Sequence, residues 1–296
     1  VAATRRRHFE SGWIKLPLAE RIVVIAWLVH LALVAFLLSQ HELWRDELQA
    51  WSIADSSRNP LTVIANTRLE GRPPLWHLLI WPITQITNNP NWMNLLTFFI
   101  GALASWLWIR NVRLPIFLRI AFLFGFHLTG GYLAHAREYV LLFLLLTVAL
   151  ISAQKHGFGW RTTATIGALA MVNLFGLLMA GAVTVAIGVP AILAAVRSAN
   201  SNLARRMYLQ MAMLASVFSA CAYWIYPTDK NQFQGIRYHS FGIAISESMT
   251  PFAVDWQFFN RINDVVAIVI LLAIVGGLFL TSRAAGIFAA CASVLL

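Results

Sequence analysis

Apolar runs of similar length alternate with polar connections along almost the whole chain. They cover residues 22–39, 92–109, 116–134, 139–154, 161–178, 180–196, 207–226 and 265–281, with a last run from 284. Most approach the roughly 20 residues that an α-helix needs to cross a hydrocarbon core about 30 Å thick, so helices rather than a barrel are expected. The pattern predicts an all-α polytopic membrane protein, a single domain over 1–296 with about nine transmembrane helices. The faintest boundary is the turn between the fifth and sixth runs, placed at 178–180.

The polar segments 40–91 and 227–263 are long. Within the first, the apolar run Leu75–Ile86 is too short to span, since a helix of that length rises only about 18 Å. It is read as an interfacial juxtamembrane helix opened by Pro73-Pro74, with Trp76, His77 and Trp81 as anchors. Charge supports this choice. If Leu75–Ile86 does not cross, Arg5, Arg6, Arg7, Arg110, Arg113, Arg119, Lys155, Arg161, Arg197, Arg205 and Arg206 share one side, which the positive-inside rule makes cytoplasmic. Most acids, among them Glu42, Asp46, Glu47, Asp55, Glu70 and Glu138, then lie at the outer side. The N-terminus is expected in the cytoplasm and the polar chemistry on the periplasmic or extracellular face of a bacterial plasma membrane. Arg5-Arg6-Arg7 ahead of an apolar run could be taken for a secretory signal, but Ser39-Gln40-His41-Glu42 is a poor cleavage site, so an uncleaved first span is expected.

Composition agrees. The chain is 59% hydrophobic and 11% charged, with a mean hydropathy of +0.69, against about 45–50% and 25% for soluble domains. The net charge of +10 is scattered over loops rather than gathered on one face, which excludes a nucleic-acid partner. Cys221 and Cys291 fall in apolar runs and form no disulfide framework, and no Cys/His spacing for zinc is present.

The first candidate chemistry follows the first span, in His41-Glu42-Leu43-Trp44-Arg45-Asp46-Glu47. Ionisable groups at a membrane edge are costly unless paired, hydrated or functional. Asp46 with Gln49 also fits a capping box. Trp44, Leu48 and Trp51 share a helical face, which leaves Asp46 on the opposite one, toward a cavity if the tryptophans lie in the interface. Glu70-Gly71-Arg72-Pro73-Pro74 supplies a turn and a helix start together with an acid and an arginine that neither requires. His135-Ala136-Arg137-Glu138-Tyr139 crowds ionisable groups into a tight outer connection. Lys230, Arg237, Tyr238 and His239 read singly as solvated loop residues and as a group as a phosphate site. His30 and His127, inside apolar runs, are expected to be buried and hydrogen-bonded rather than ligands.

Trp44-Arg45-Asp46-Glu47 with Ala50-Trp51, then Glu70-Gly71-Arg72-Pro73-Pro74-Leu75-Trp76, then Ala136-Arg137-Glu138-Tyr139, resembles the GT-C glycosyltransferases. The nearest branch holds protein O-mannosyltransferases, lipid A aminoarabinose transferases and bacterial family 39-like relatives. The resemblance runs over about residues 20–155 by motif and to about 265 by topology. It implies a GT-C bundle, a polyprenyl-phosphate sugar donor, and a glycan, lipid or protein acceptor on the outer face. It makes Asp46 the general base of an inverting transfer with Glu47 as support, and 227–263 the loop that closes over the donor. Arg72, Arg137, Lys230 and Arg237 would meet the donor phosphate, and Glu70, His77, His135, Glu138, Tyr139, Tyr238 and His239 the substrates. Two positions depart from the pattern. Arg72 stands where many relatives have His, and His135 where many have Glu. Charge has thereby moved from a metal toward arginine, so transfer is expected to survive chelation. If a divalent cation is bound, Mg or Mn, Glu47 and Glu138 are the expected ligands. The chain is short for this family, and a short or truncated C-terminus is expected.

Two other classes remain beside this reading. A transporter or flippase of a lipid-linked or anionic solute predicts charges near mid-span and paired interrupted helices, and the long runs hold few of them. A catalytically degenerate assembly partner would keep the fold alone.

Overall fold

The computed structural model describes residues 17–226 apart from 71, 126, 199 and 200, and not the side chains of Leu69 and His127. The runs at 265–281 and from 284, and the candidate residues Lys230, Arg237, Tyr238 and His239, lie outside the described residues.

All the regular elements described are helical: α1 (Leu18–Gln40), α2 (Arg45–Asp55), α3 (Pro60–Thr67), α4 (Leu75–Thr84), α5 (Trp92–Asn111), α6 (Ile116–Leu123), α7 (Tyr139–His156), α8 (Trp160–Ala170), α9 (Leu174–Arg197) and α10 (Ser201–Ile225). Five of them, α1, α5, α7, α9 and α10, are long and apolar enough to cross a membrane. The chain is an integral membrane protein built on these helices.

The spans bury little of themselves. In α1 only Val23, His30, Val34 and Leu38 are buried, a narrow stripe, while Ile22, Ile25, Leu28, Val29, Leu33 and Phe36 stay exposed. An apolar helix exposed on most of its circumference suits a lipid solvent rather than water. Helix α5 turns small residues inward, Gly101, Ala104 and Ser105, which lets neighbouring backbones approach. A Cβ at Gly101 would come within 3.1 Å of Leu133, and Trp27 of α1 donates its indole N–H toward the Ala102 carbonyl and Ser105 Oγ, both at 3.2 Å. Helix α7 packs on α5 and α8, and α8 also packs on α9 and α10.

Three expectations from the sequence change here. The predicted span 116–134 is broken into α6 and a π-helical turn, His127–Tyr132. The predicted pair 161–178 and 180–196 divides elsewhere: the break falls at 171–173, and Met179 and Ala180 lie inside α9. The cause is a cap. The Asn173 side chain accepts the Gly176 N–H at 2.8 Å and so starts a helix, while a Cβ at Gly176 would collide with the Leu169 carbonyl. Helix α8 is left with 11 residues, about 16 Å of rise, half a bilayer core. Finally, α4 is a short helix as expected, but Trp76 and His77 are buried at 1% and 2% exposure and are not interfacial anchors. They face inward because α4 packs against α2 and α3, where His77 has Glu70 beside it.

The connections sort into two ends. At one, Glu20 of α1 pairs with Arg110 of α5 at 3.4 Å, and the Arg113 N–H donates to Gln154 of α7. At the other, the segment after α1 meets the segment before α7. There too Arg68 donates to the carbonyls of Trp224 and Tyr226 at the end of α10 and lies over the Tyr223 ring. Arg110 and Asp46 therefore sit at opposite ends of the bundle, the alternation obtained when Leu75–Ile86 does not cross.

His30 is fully buried, as expected, but neither ring nitrogen has a hydrogen-bond partner. It packs edge-on against Phe124.

Candidate functional site

The local fold of α2 decides the roles of its two acids. The helix begins at Arg45, so Asp46 is not its cap. Glu47 does that work: its Oε2 accepts the Trp44 backbone N–H at 2.5 Å, satisfying a donor that a helix start leaves orphaned. Successive helical side chains diverge by about 100°, and the pair separates accordingly. The Glu47 side chain is 1% exposed and that of Asp46 49%. The tryptophan face is also split, with Trp44 and Leu48 exposed and Trp51 buried.

Glu47 is enclosed by two loops. Its Oε1 accepts the buried Ala136 N–H at 2.6 Å, across 89 residues of chain, and His41 Nε2 lies 2.9 and 2.8 Å from its two oxygens. His135 stands edge-on to His41, ring centres 4.9 Å apart, under the Trp44 ring at 5.0 Å. His41, Glu47 and His135 each bring a ligand atom within 4.8 Å of the others. Burial first, then the neighbouring His41 and Arg137, pull the His135 pKa below the ordinary histidine value, against an opposing pull from Glu47. The imidazole is thereby biased to its neutral form.

Asp46 faces a different group. Arg137 donates to its Oδ2 at 3.1 Å, and Arg72 approaches the same oxygen at 3.8 Å. Glu138 lies between the guanidinium groups, 3.7 Å from Arg72 and 3.6 Å from Arg137. Burial works against the Arg137 charge, but Glu138, Tyr139 and Asp46 outweigh it and hold its pKa above the ordinary value. Arg137 also lies over the Tyr139 ring at 5.2 Å, and Tyr139 stacks on Tyr132 at 5.0 Å. Glu70 and His77 form a separate buried pair 3.0 Å apart.

Of the candidates from the sequence, Asp46, Arg72, Arg137 and Glu138 form one array, and Glu47 and His135 a second beside it. Glu138, expected with Glu47 as a metal ligand, has its carboxylate against the arginines and is not part of the His41, Glu47 and His135 group. His41 belongs to the polar island read from the sequence but carries no role in that reading. Its signal was a histidine six residues before Glu47, at the exit of the first span.

The fold and site define a helical membrane protein with an ionisable cluster at one end of its bundle. Compared with family models, with curated proteins and with solved structures, the chain finds no match in any of the three.

Proposed function

We propose that the chain is a membrane glycosyltransferase of GT-C type, taking a sugar from a polyprenyl-phosphate donor and passing it to an acceptor at the outer face. The observation that carries this reading is the half-open array Asp46, Arg137, Arg72 and Glu138, drawn from two loops to one end of an apolar bundle. An outer-face enzyme has no ready supply of cytoplasmic nucleotide sugars, and a lipid carrier brings the sugar to that array along the membrane.

The chemistry follows from exposure. Two guanidinium groups suit the oxygens of a phosphate, and Asp46 is the more exposed of the two carboxylates they hold. An entering donor phosphate takes the place of Asp46 on Arg137 and Arg72, while Glu138, 6% exposed, stays. The freed Asp46 carboxylate accepts the proton of the acceptor hydroxyl as its oxygen attacks the anomeric carbon. The bond from that carbon to the phosphate oxygen breaks, and polyprenyl phosphate leaves with the electron pair, its charge met by the arginines. Attack opposite the leaving group inverts the anomeric centre. The basic end carrying Arg110, Arg113 and Arg119 faces the cytoplasm in this reading.

The test is release of radiolabelled sugar from polyprenyl-phosphate donors by the purified chain. Asp46→Asn is expected to lower transfer by about 10²–10⁴-fold, the usual contribution of a general base. Transfer within a few-fold of the parent would remove Asp46 from the mechanism.

A further inference from the structure

We infer that His41, Glu47 and His135 form a zinc-binding site that clasps the first outer loop to the second. Three metal-binding side chains from the two loops converge: His41, Glu47 and His135 each offer a ligand atom, all within 4.8 Å of one another. Glu47 is a carboxylate 1% exposed, and buried charges are paired or bound to metal. His41 Nε2 lies 2.9 and 2.8 Å from its two oxygens, and His135 stands edge-on to His41 with ring centres 4.9 Å apart. Two imidazoles gathered around one carboxylate are the donors of a divalent-metal site.

The donor set favours a borderline ion such as zinc over the hard ones. Imidazole nitrogens suit zinc, whereas magnesium, manganese and calcium favour oxygen. Two histidines and one carboxylate are a recurrent zinc set that leaves a fourth position for water or another oxygen ligand. The separations fit a site that closes on its ion: ligand atoms lie within 4.8 Å of one another, and zinc bonds of about 2.0–2.2 Å bring tetrahedral ligands a little over 3 Å apart. The supporting contacts are in place. Backbone N–H groups of Trp44 and Ala136 fix the carboxylate, and the Trp44 ring covers His135. Such outer contacts orient ligands before the ion arrives. The site differs in ligands and in metal from the Glu47 and Glu138 pair with magnesium or manganese that the sequence suggested, and it stands on geometry without the transferase reading.

The experiment uses the full chain, purified in detergent through a tag free of histidine and stripped with chelator. Zinc is titrated by calorimetry and metal analysis, and cobalt(II) is added as a spectroscopic substitute. The expected result is about one zinc per chain and cobalt absorption of tetrahedral type. His135→Ala and His41→Ala should each weaken binding by roughly 100-fold or more, since even outer-shell changes cost 10–100-fold. Asp46→Asn, one residue from a ligand, should bind zinc like the parent. Metal-free His135→Ala should unfold like the metal-free parent, which separates ligand loss from misfolding. Zinc well below one per chain, equal binding by His135→Ala, or loss of binding in Asp46→Asn would each overturn the site. No donor or acceptor enters these measurements, so their failure leaves the transferase reading standing, and failure of transfer leaves the zinc site standing.

Discussion

Asp46 and Glu47 are neighbours in sequence and opposites in environment. Glu47 is sealed at the junction of two loops and accepts backbone N–H groups from both. Asp46 is half open and held by side chains alone, chiefly Arg137. Backbone donors cannot be exchanged for a ligand without separating the loops. Side-chain partners can be exchanged by rotation. The difference teaches where to look for chemistry in such a pair: the acid with the weaker claims upon it is the one free to act, and the other keeps the first in place.

The comparison can be broken most forcefully at Asp46. Asp46→Asn is expected to lose transfer by about 10²–10⁴-fold while its apparent melting temperature stays near the parent's. Equal loss of melting temperature and transfer would make the two acids alike. Glu47→Gln should do the reverse. Both carboxylate oxygens now accept N–H groups, so the new amide sets a donor against a donor, at a cost of about 1–3 kcal/mol. Thermal unfolding in detergent should show the drop, and transfer measured well below the transition should suffer less than in Asp46→Asn. The arginines sharpen the contrast on the open side. Arg137→Lys should weaken transfer more than Arg72→Lys, because Arg137 is 15% exposed and bonds Asp46 at 3.1 Å, whereas Arg72 is 30% exposed and stands off at 3.8 Å. Comparable turnover in all three chains would argue against phosphate recognition by the guanidinium fork. The smallest effect is expected from chelation. Removing zinc should lower the melting temperature yet change transfer at the assay temperature by only a few-fold, since arginine faces the leaving group. Transfer silenced by chelator and restored by manganese or magnesium would move the reacting centre onto a metal.

Much of the plan was legible from hydrophobic pattern and charge. The first, second and fourth runs became α1, α5 and α7 within a few residues, because uninterrupted apolar length admits few alternatives. The pairing of ends followed from loop arginines. The break at 171–173 does not show in the hydrophobic pattern, because an Asn173 cap and a glycine with no room for a Cβ leave no gap in hydrophobicity. The capping box that Asp46 and Gln49 also fit is not the one formed, because Asp46 and Glu47 both offer plausible register and only the position of the Trp44 N–H, bonded to Glu47, distinguishes them. Motif spacing brought Asp46, Arg72 and Arg137 forward as candidates but not their mutual contacts. The role of His41 depends on His135, 94 residues away by number, and no local pattern signals a partner at that distance.

The carboxylate of Glu47 also supplies a clock for loop separation. It binds two amide protons of different origin, that of Trp44 within its own loop and that of Ala136 in the other. Fraying of α2 exposes the first, and parting of the loops exposes the second. The ratio of their hydrogen–deuterium exchange rates, measured on one molecule under one condition, isolates the opening of the interface from the breathing of the helix. A ligand that holds the loops together would slow Ala136 and leave Trp44 nearly untouched.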